Sequence, residues 1–273
     1  MSCSIWEKEG TLAYEFWKNG KLADCPIYDM HGHMGHSNGI YFKRSSPEDV
    51  AEHIRRIGVR RLVYCQHGAL WGMNRSEEMV RECESQSDVL RMYVAINPHF
   101  PDNIKEDLAN FDKWKPWTFG LKLLPDYHGT PVTSPAFQYA LDFAEERGLP
   151  VLIHTWGGSR CDGGDVIYES VQKYSRIKFL LGHSIYGDWE NARRCVQESA
   201  GNVYLELTSI PGELNTLEML TELVGSEKLI FGTDMPWFDE YQAVGGVLAA
   251  DITEDDKRNI LYRNVEQIFG KDW

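Results

Sequence analysis

Eight short apolar runs, each followed by an amphipathic helical pattern, succeed one another along this 273-residue chain. Parallel strands need long crossover connections, usually helical, so strict alternation of this kind restricts the chain to a parallel α/β architecture. The apolar runs predict strands at Ile27–Met30, Arg61–Gln66, Leu90–Ile96, Thr118–Leu123, Pro150–Ile153, Lys178–Leu181, Val203–Leu207 and Leu229–Gly232. The first helix opens on Ser46-Pro47-Glu48, with serine at the N-cap and proline at the first helical position, and stops at Gly58. Further helices are expected at Ser76–Ser87, Pro101–Phe111, Ser134–Arg147, Asp165–Tyr174, Trp189–Ser199, Leu214–Val224 and Glu240–Ala249. Two short helical segments, Thr253–Tyr262 and Val265–Phe269, close the chain. Eight strand–helix units are the count of a (β/α)8 TIM barrel, and the length suits one domain spanning residues 1–273. Ahead of the barrel, Thr11–Trp17, an Asn19-Gly20 turn and Lys21–Ala23 predict a short β-hairpin, since Asn-Gly is a strong type I′ turn signal.

The histidines decide between the barrel and its competitor, a doubly wound open sheet. Eight of the nine follow a predicted strand: His31, His33, His36, His67, His99, His128, His154 and His183. An open sheet places its ligand at one crevice, whereas a barrel gathers the C-terminal ends of all its strands at one mouth. Histidines spread over six strand ends therefore favour the barrel.

The net charge of −13 argues against nucleic-acid and anionic-membrane partners, which require a basic footprint. No apolar run approaches the ~18 residues of a membrane span, and Met1 to Gly10 lacks the basic-then-apolar order of a secretory signal. A cytoplasmic protein is expected. The six cysteines (Cys3, Cys25, Cys65, Cys83, Cys161, Cys195) show neither a C-x-x-C pair nor a dense framework, and are expected to be reduced, mostly buried thiols.

In Asp29-Met30-His31-Gly32-His33, residues two apart on an extended strand face the same side, so all three polar groups point one way. An H-x-H alone is weak evidence and is matched by an ordinary polar turn. His154 after Val151-Leu152-Ile153, His183 after Leu180-Leu181-Gly182, and Asp234 after Phe231-Gly232-Thr233 place three further groups at strand ends in register with it. Together they describe a site that a divalent cation can bridge.

These stretches resemble the amidohydrolase superfamily, in the branch that contains aminocarboxymuconate-semialdehyde decarboxylase, related aromatic-acid decarboxylases and several lactonases. The resemblance runs from about Pro26 to Phe269. It is carried mainly by Asp29-Met30-His31-Gly32-His33, by Leu229-Ile230-Phe231-Gly232-Thr233-Asp234-Met235-Pro236-Trp237, and by Ile260-Leu261-Tyr262-Arg263-Asn264-Val265. It implies that His31, His33 and His154 ligate a metal, that Asp234 is a ligand or proton shuttle, and that His183 orients the substrate. One departure is visible: small glycines often follow the sixth-strand histidine in the family, and here Ser184-Ile185-Tyr186 follow.

Three imidazoles and a carboxylate suit one Zn ion, with Mn, Fe or Ni as alternatives, and an open position would hold water whose pKa the metal lowers toward ~7. Asp234 is then the expected general acid–base. The expected activity is hydrolysis of a small carboxylated or cyclic substrate (lactone, amide or ester). Non-oxidative decarboxylation of an unsaturated or aromatic acid is the alternative. An inactive ligand-binding relative would be expected to have lost some of the five site positions, and all are present.

Alternation points Lys122 and Glu206 into the barrel, which reads as an interior ion pair or, for Lys122, as a substrate contact or a carbamylated bridge between two metals. Trp71, Tyr127, Trp156, Trp237 and Phe238 fall at the same mouth and suit a flat ring. Arg160 is a candidate carboxylate clamp and His128 a candidate polar lining residue. The aromatic content is compatible with a homo-oligomer.

Overall fold

The computed structural model describes residues 4–37, 39–73 and 76–271. Eight parallel strands run in sequential order: β1 (Ile27–Met34), β2 (Val59–Gln66), β3 (Leu90–Ile96), β4 (Thr118–Leu123), β5 (Pro150–Trp156), β6 (Lys178–Tyr186), β7 (Val203–Glu206) and β8 (Leu229–Ile230). The ring closes where β1 meets the segment after β8. There Met30 N–H donates to Phe231 O (3.1 Å), Asp234 N–H to His31 O (2.6 Å) and His33 N–H to Met235 O (2.6 Å). The result is a (β/α)8 TIM barrel.

Helix α1 (Leu12–Asn19) precedes the barrel. Around it lie α2 (Pro47–Ile57), α3 (His67–Leu70), α4 (Ser76–Ser85), α5 (Pro101–Asn110), α6 (Pro135–Arg147), α7 (Gly164–Lys173), α8 (Trp189–Gln197), α9 (Thr216–Val224) and α10 (Glu240–Ala249). The predicted Thr253–Tyr262 helix is broken into α11 (Glu254–Arg258) and a π-helical turn at Asn259–Arg263 that leads into α12 (Asn264–Phe269). Helix α2 shows why such segments form. Ser46 accepts from Asp49 N–H, while Val50, Ala51, Ile54 and Ile57 make one buried stripe.

The N-terminal hairpin is not formed; the segment is α1. Thr11 caps it by accepting from Tyr14 N–H, and Leu12, Ala13 and Phe16 are buried at helical spacing. Gly20 takes φ 70° and donates to Phe16 O, so Asn19-Gly20 is the helix end and not a hairpin turn. Because Gly20 has no tight neighbour, Gly20→Ala is expected to cost only the left-handed conformation, about 1 kcal/mol, read as a lower midpoint in denaturant melts. No loss would mean that α1 is not docked as described.

Strands β1, β5 and β6 run beyond the apolar stretches that predict them and include the histidines themselves. The functional side chains thus stand on the sheet and not on the loops after it. Cys25, Cys65, Cys83 and Cys195 are buried free thiols, Cys161 is half-buried, and Cys3 lies outside the described residues. Among the described residues no helix is long and apolar enough to cross a membrane.

Candidate metal centre

The C-terminal mouth of the barrel opens into a cavity of about 520 Å³. Its floor carries His31, His33, Lys122, His154, His183 and Asp234. The imidazoles form a continuous chain of ring contacts, with centroids 4.8 Å apart for His67–His33, 5.4 Å for His33–His31 and for His31–His183, and 4.9 Å for His183–His154.

Three of these rings are aimed by a hydrogen bond from Nδ1. His31 Nδ1–H donates to Glu206 Oε2 (2.7 Å), His33 Nδ1–H to Cys65 O (2.8 Å) and His154 Nδ1–H to Asp162 Oδ2 (2.9 Å). Such partners fix tautomer and orientation, leaving the Nε2 lone pair for a ligand. On His31 that lone pair accepts from Lys122 Nζ at 2.8 Å, so a cationic group already sits on it. Lys122 and Glu206 therefore do not form the direct interior pair expected from the sequence; His31 stands between them. Glu206 is fully buried and also accepts from Thr208 N–H (2.8 Å) and Thr208 Oγ1 (2.7 Å). Its carboxylate occupies the space beside Gly232, where any Cβ would lie 2.1 Å from Oε1. Only glycine fits there.

The orientation of the remaining lone pairs tests whether a cation fits. His33 Nε2 is 3.0 Å from Asp234 Oδ1, and His31 Nε2 is 3.5 Å from the same oxygen. Because Nδ1 of both rings is already a donor, Nε2 of a singly protonated ring and the carboxylate oxygen are all acceptors. Such an arrangement is repulsive unless a positive charge lies among them; Lys122 Nζ supplies one at His31 Nε2, and a bound cation would supply it at His33 Nε2 and Asp234 as well. Ligand atoms of His31, His183 and Asp234 lie within 4.8 Å of one another; neither His33 nor His154 belongs to a group that tight. The donor set of imidazole nitrogens and one carboxylate fits a divalent transition metal or zinc.

Burial lowers the basicity of the site. It pushes His31 well below its ordinary 6.5, His183 to about 3 and His67 to about 4, and it takes Lys122 down to about 8. For Asp234 burial acts upward, but the His31, His33 and His183 rings outweigh it and hold the carboxyl well below 3.8.

Behind the floor lies a second acid pair. Asp29 accepts from His31 N–H (3.0 Å), Thr233 N–H (3.2 Å) and Thr233 Oγ1 (2.5 Å), whereas both oxygens of the neighbouring buried Glu240 lack a hydrogen-bond donor. Burial, then Asp29, push Glu240 well above 4.5; burial also takes Asp29 up to about 7. An acid raised in the folded state stabilises fully below its unfolded value and loses that contribution as pH rises through its folded value. In metal-free protein, Glu240→Gln is expected to flatten the fall in Tm as pH rises above the ordinary glutamate range. Thermal melts across that rise check it, and an unchanged slope would exclude Glu240 as its source.

The backbone at the floor is unusual. His183, Ser184 and Ile185 have φ of 60°, 56° and 53°, and Asp234 has 60°, all in the left-handed region. For residues with a Cβ this costs roughly 1–2 kcal/mol each and clusters at functional sites. The two positions after His183 thus adopt the conformation that glycines would take freely.

Trp71, Tyr127, Trp156, Trp237 and Phe238 line the walls. Trp237 Nε1–H donates to His67 Nε2 (2.9 Å), whose Nδ1–H donates to Gly35 O (3.2 Å), so His67 serves as a prop for the indole. Trp156 stacks on Tyr186 at 4.5 Å. Two expected contacts are absent from the lining. Arg160 is exposed and does not line the cavity, whereas the same Gly157–Gly164 loop brings Asp162 in behind His154. His128 is buried and holds Leu70 O through Nε2 (2.9 Å), tying one loop to the next. Sequence reasoning did not find Asp162, Thr155 or the Asp29–Glu240 pair. The only signal for Asp162 was a carboxylate eight residues after His154 beside paired glycines.

A family model described as "Amidohydrolase" matches residues 28–271. Among curated proteins none matches. Several solved structures share the fold at low identity. A 5-carboxyvanillate decarboxylase from Novosphingobium aromaticivorans, complexed with manganese, has a TM-score of 0.69 at 10% identity, covering 91% of this chain and 97% of its own. A probable 2-pyrone-4,6-dicarboxylic acid hydrolase from Acinetobacter baumannii has 0.68 at 14%, covering 90% and 99%. An uncharacterized TIM-barrel protein from Bordetella bronchiseptica has 0.73 at 14%, covering 89% and 98%.

Proposed function

The chain belongs to the amidohydrolase family of metal-dependent enzymes, and on that premise we propose that it hydrolyses a small cyclic or carboxylated substrate, a lactone, amide or ester, on this cavity floor. The observation that carries the reading is the convergence of His31, His33 and His183 on Asp234, where Lys122 meets the His31 nitrogen and a divalent cation would offset the remaining acceptors. His31 and Asp234, whose ligand atoms already share one tight group with His183, would hold one divalent ion with His33 and His154 completing the set; we take it to be Zn, with Mn as the first rival because the decarboxylase neighbour carries it. When bound, that ion supplies Lewis acidity to a carbonyl and to water.

The chain's own groups do the rest. Asp234 accepts a proton from the attacking water and returns it to the leaving atom. His183, neutral and buried, orients the substrate carbonyl by hydrogen bonding. Trp71, Trp156 and Trp237 exclude bulk water and offer flat faces to a ring. Buried free thiols support a reducing, cytoplasmic setting.

Decarboxylation is the second reading, favoured by Lys122. Its ammonium lies on the floor beside His31, where it would receive a substrate carboxylate, and Asp234 would then pass a proton taken from water to the carbon as carbon dioxide leaves. The test is metal analysis of protein purified without chelator or histidine tag, followed by parallel screens of lactones and esters and of hydroxybenzoic acids. About one metal per chain with ring opening supports hydrolysis. Metal with carbon dioxide release and no ring opening moves the assignment to decarboxylation. No metal, and none regained with Zn or Mn, overturns both.

A further inference from the structure

His31, His33 and His154 are each aimed by a hydrogen bond from Nδ1, but His183 is not. Its Nδ1 is buried and has no partner among the described residues. With no hydrogen bond at Nδ1, its direction is set by its ring contacts with His31, His154 and Trp156 and by its backbone, and that backbone is an insertion in β6. His154 pairs with Gly182 and Trp156 with Tyr186, so His183, Ser184 and Ile185 all stand opposite Thr155 alone. The three residues form a left-handed turn that lacks any glycine.

Thr155 is fully buried on β5 and bridges both ends of that turn. Its Oγ1–H donates to Gly182 O (2.5 Å), and the same oxygen accepts from Ile185 N–H (2.8 Å). Two further tethers run to Glu206: Ser184 Oγ–H donates to its carbonyl (2.8 Å) and His183 N–H to its Oε2 (3.3 Å). We propose that Thr155 is the positioning residue of His183: its hydroxyl clasps the left-handed turn and so sets the direction in which an imidazole that no Nδ1 hydrogen bond aims enters the cavity. The functional half of this inference rests on the reading of His183 as a substrate-orienting group; the geometric half does not.

The test uses the full chain labelled with ¹⁵N-histidine, zinc-loaded and metal-free, comparing Thr155→Val, which keeps the shape, with Thr155→Ser, which keeps the hydroxyl. The ring resonances of His183 are expected to move in Thr155→Val and to return in Thr155→Ser, while those of His31, His33 and His154 stay in place. With a substrate from the screens above, Thr155→Val is expected to lower kcat about 10–100-fold with KM and metal content nearly unchanged, and Thr155→Ser to recover it. Should Thr155→Val not fold, Ser184→Ala removes a second tether of the turn and is expected to shift the same ring alone. Unmoved His183 resonances, equal shifts in all four rings, or a serine variant that behaves like valine would each overturn the proposal. If no substrate is found, the functional reading fails, but the resonances still decide the geometry.

Discussion

Replacing Asp234 by asparagine is expected to lower turnover by about 10²–10⁴-fold while leaving the fold intact. The carboxylate meets His33 Nε2 at 3.0 Å and His31 Nε2 at 3.5 Å, acceptor facing acceptor. An asparagine amide can donate to one of those nitrogens, so it satisfies the site without a cation. Stability should therefore stay level or rise in metal-free protein, while metal affinity falls and the proton acceptor is lost. Single-turnover assays, thermal melts and metal titration together check this. Turnover within a factor of about three of wild type would remove Asp234 from acid–base work.

The second large effect is expected at Glu206. One carboxylate accepts from His31 Nδ1–H, from Thr208 N–H and Oγ1–H, and from His183 N–H at 3.3 Å. Glu206→Leu strands these buried donors together, and such losses run to about 3–5 kcal/mol. Glu206→Gln keeps one acceptor but turns an amide toward donors, and is expected to weaken metal binding about 10–100-fold, the usual scale for a lost partner of a ligating histidine. Denaturant melts separate the two variants, and competition with a chelator reads the affinity. A Glu206→Leu protein as stable as wild type would mean that the carboxylate is not the hub of the floor.

The barrel was legible because alternation, strand length and caps agreed with one another. Ser46-Pro47 and Gly58 bound α2 on the structure as they do in the sequence. The N-terminal segment misled because Asn-Gly ends a helix as readily as it turns a hairpin, and only the buried Leu12, Ala13 and Phe16 stripe separates the two. The strands carrying the histidines were read too short, since a polar residue after apolar ones resembles a loop. Inward alternation placed Lys122 and Glu206 correctly inside the barrel but could not reveal that His31 would lie between them. The left-handed run at His183–Ile185 left no trace at all: serine and isoleucine argue against that conformation, and tertiary hydrogen bonds from other strands impose it.

The closure of β1 on the segment after β8 also orders events in time. His31 leaves the ribosome early, yet the carboxylate that aims it is 175 residues later, and Thr233, which grips Asp29 beside it, is 204 residues after that residue. Contacts of such separation form late in folding. A nascent chain that has not yet delivered Asp234 has the histidines but not the carboxylate of the proposed centre. On that reading, capture of an ion would wait for completion of the barrel.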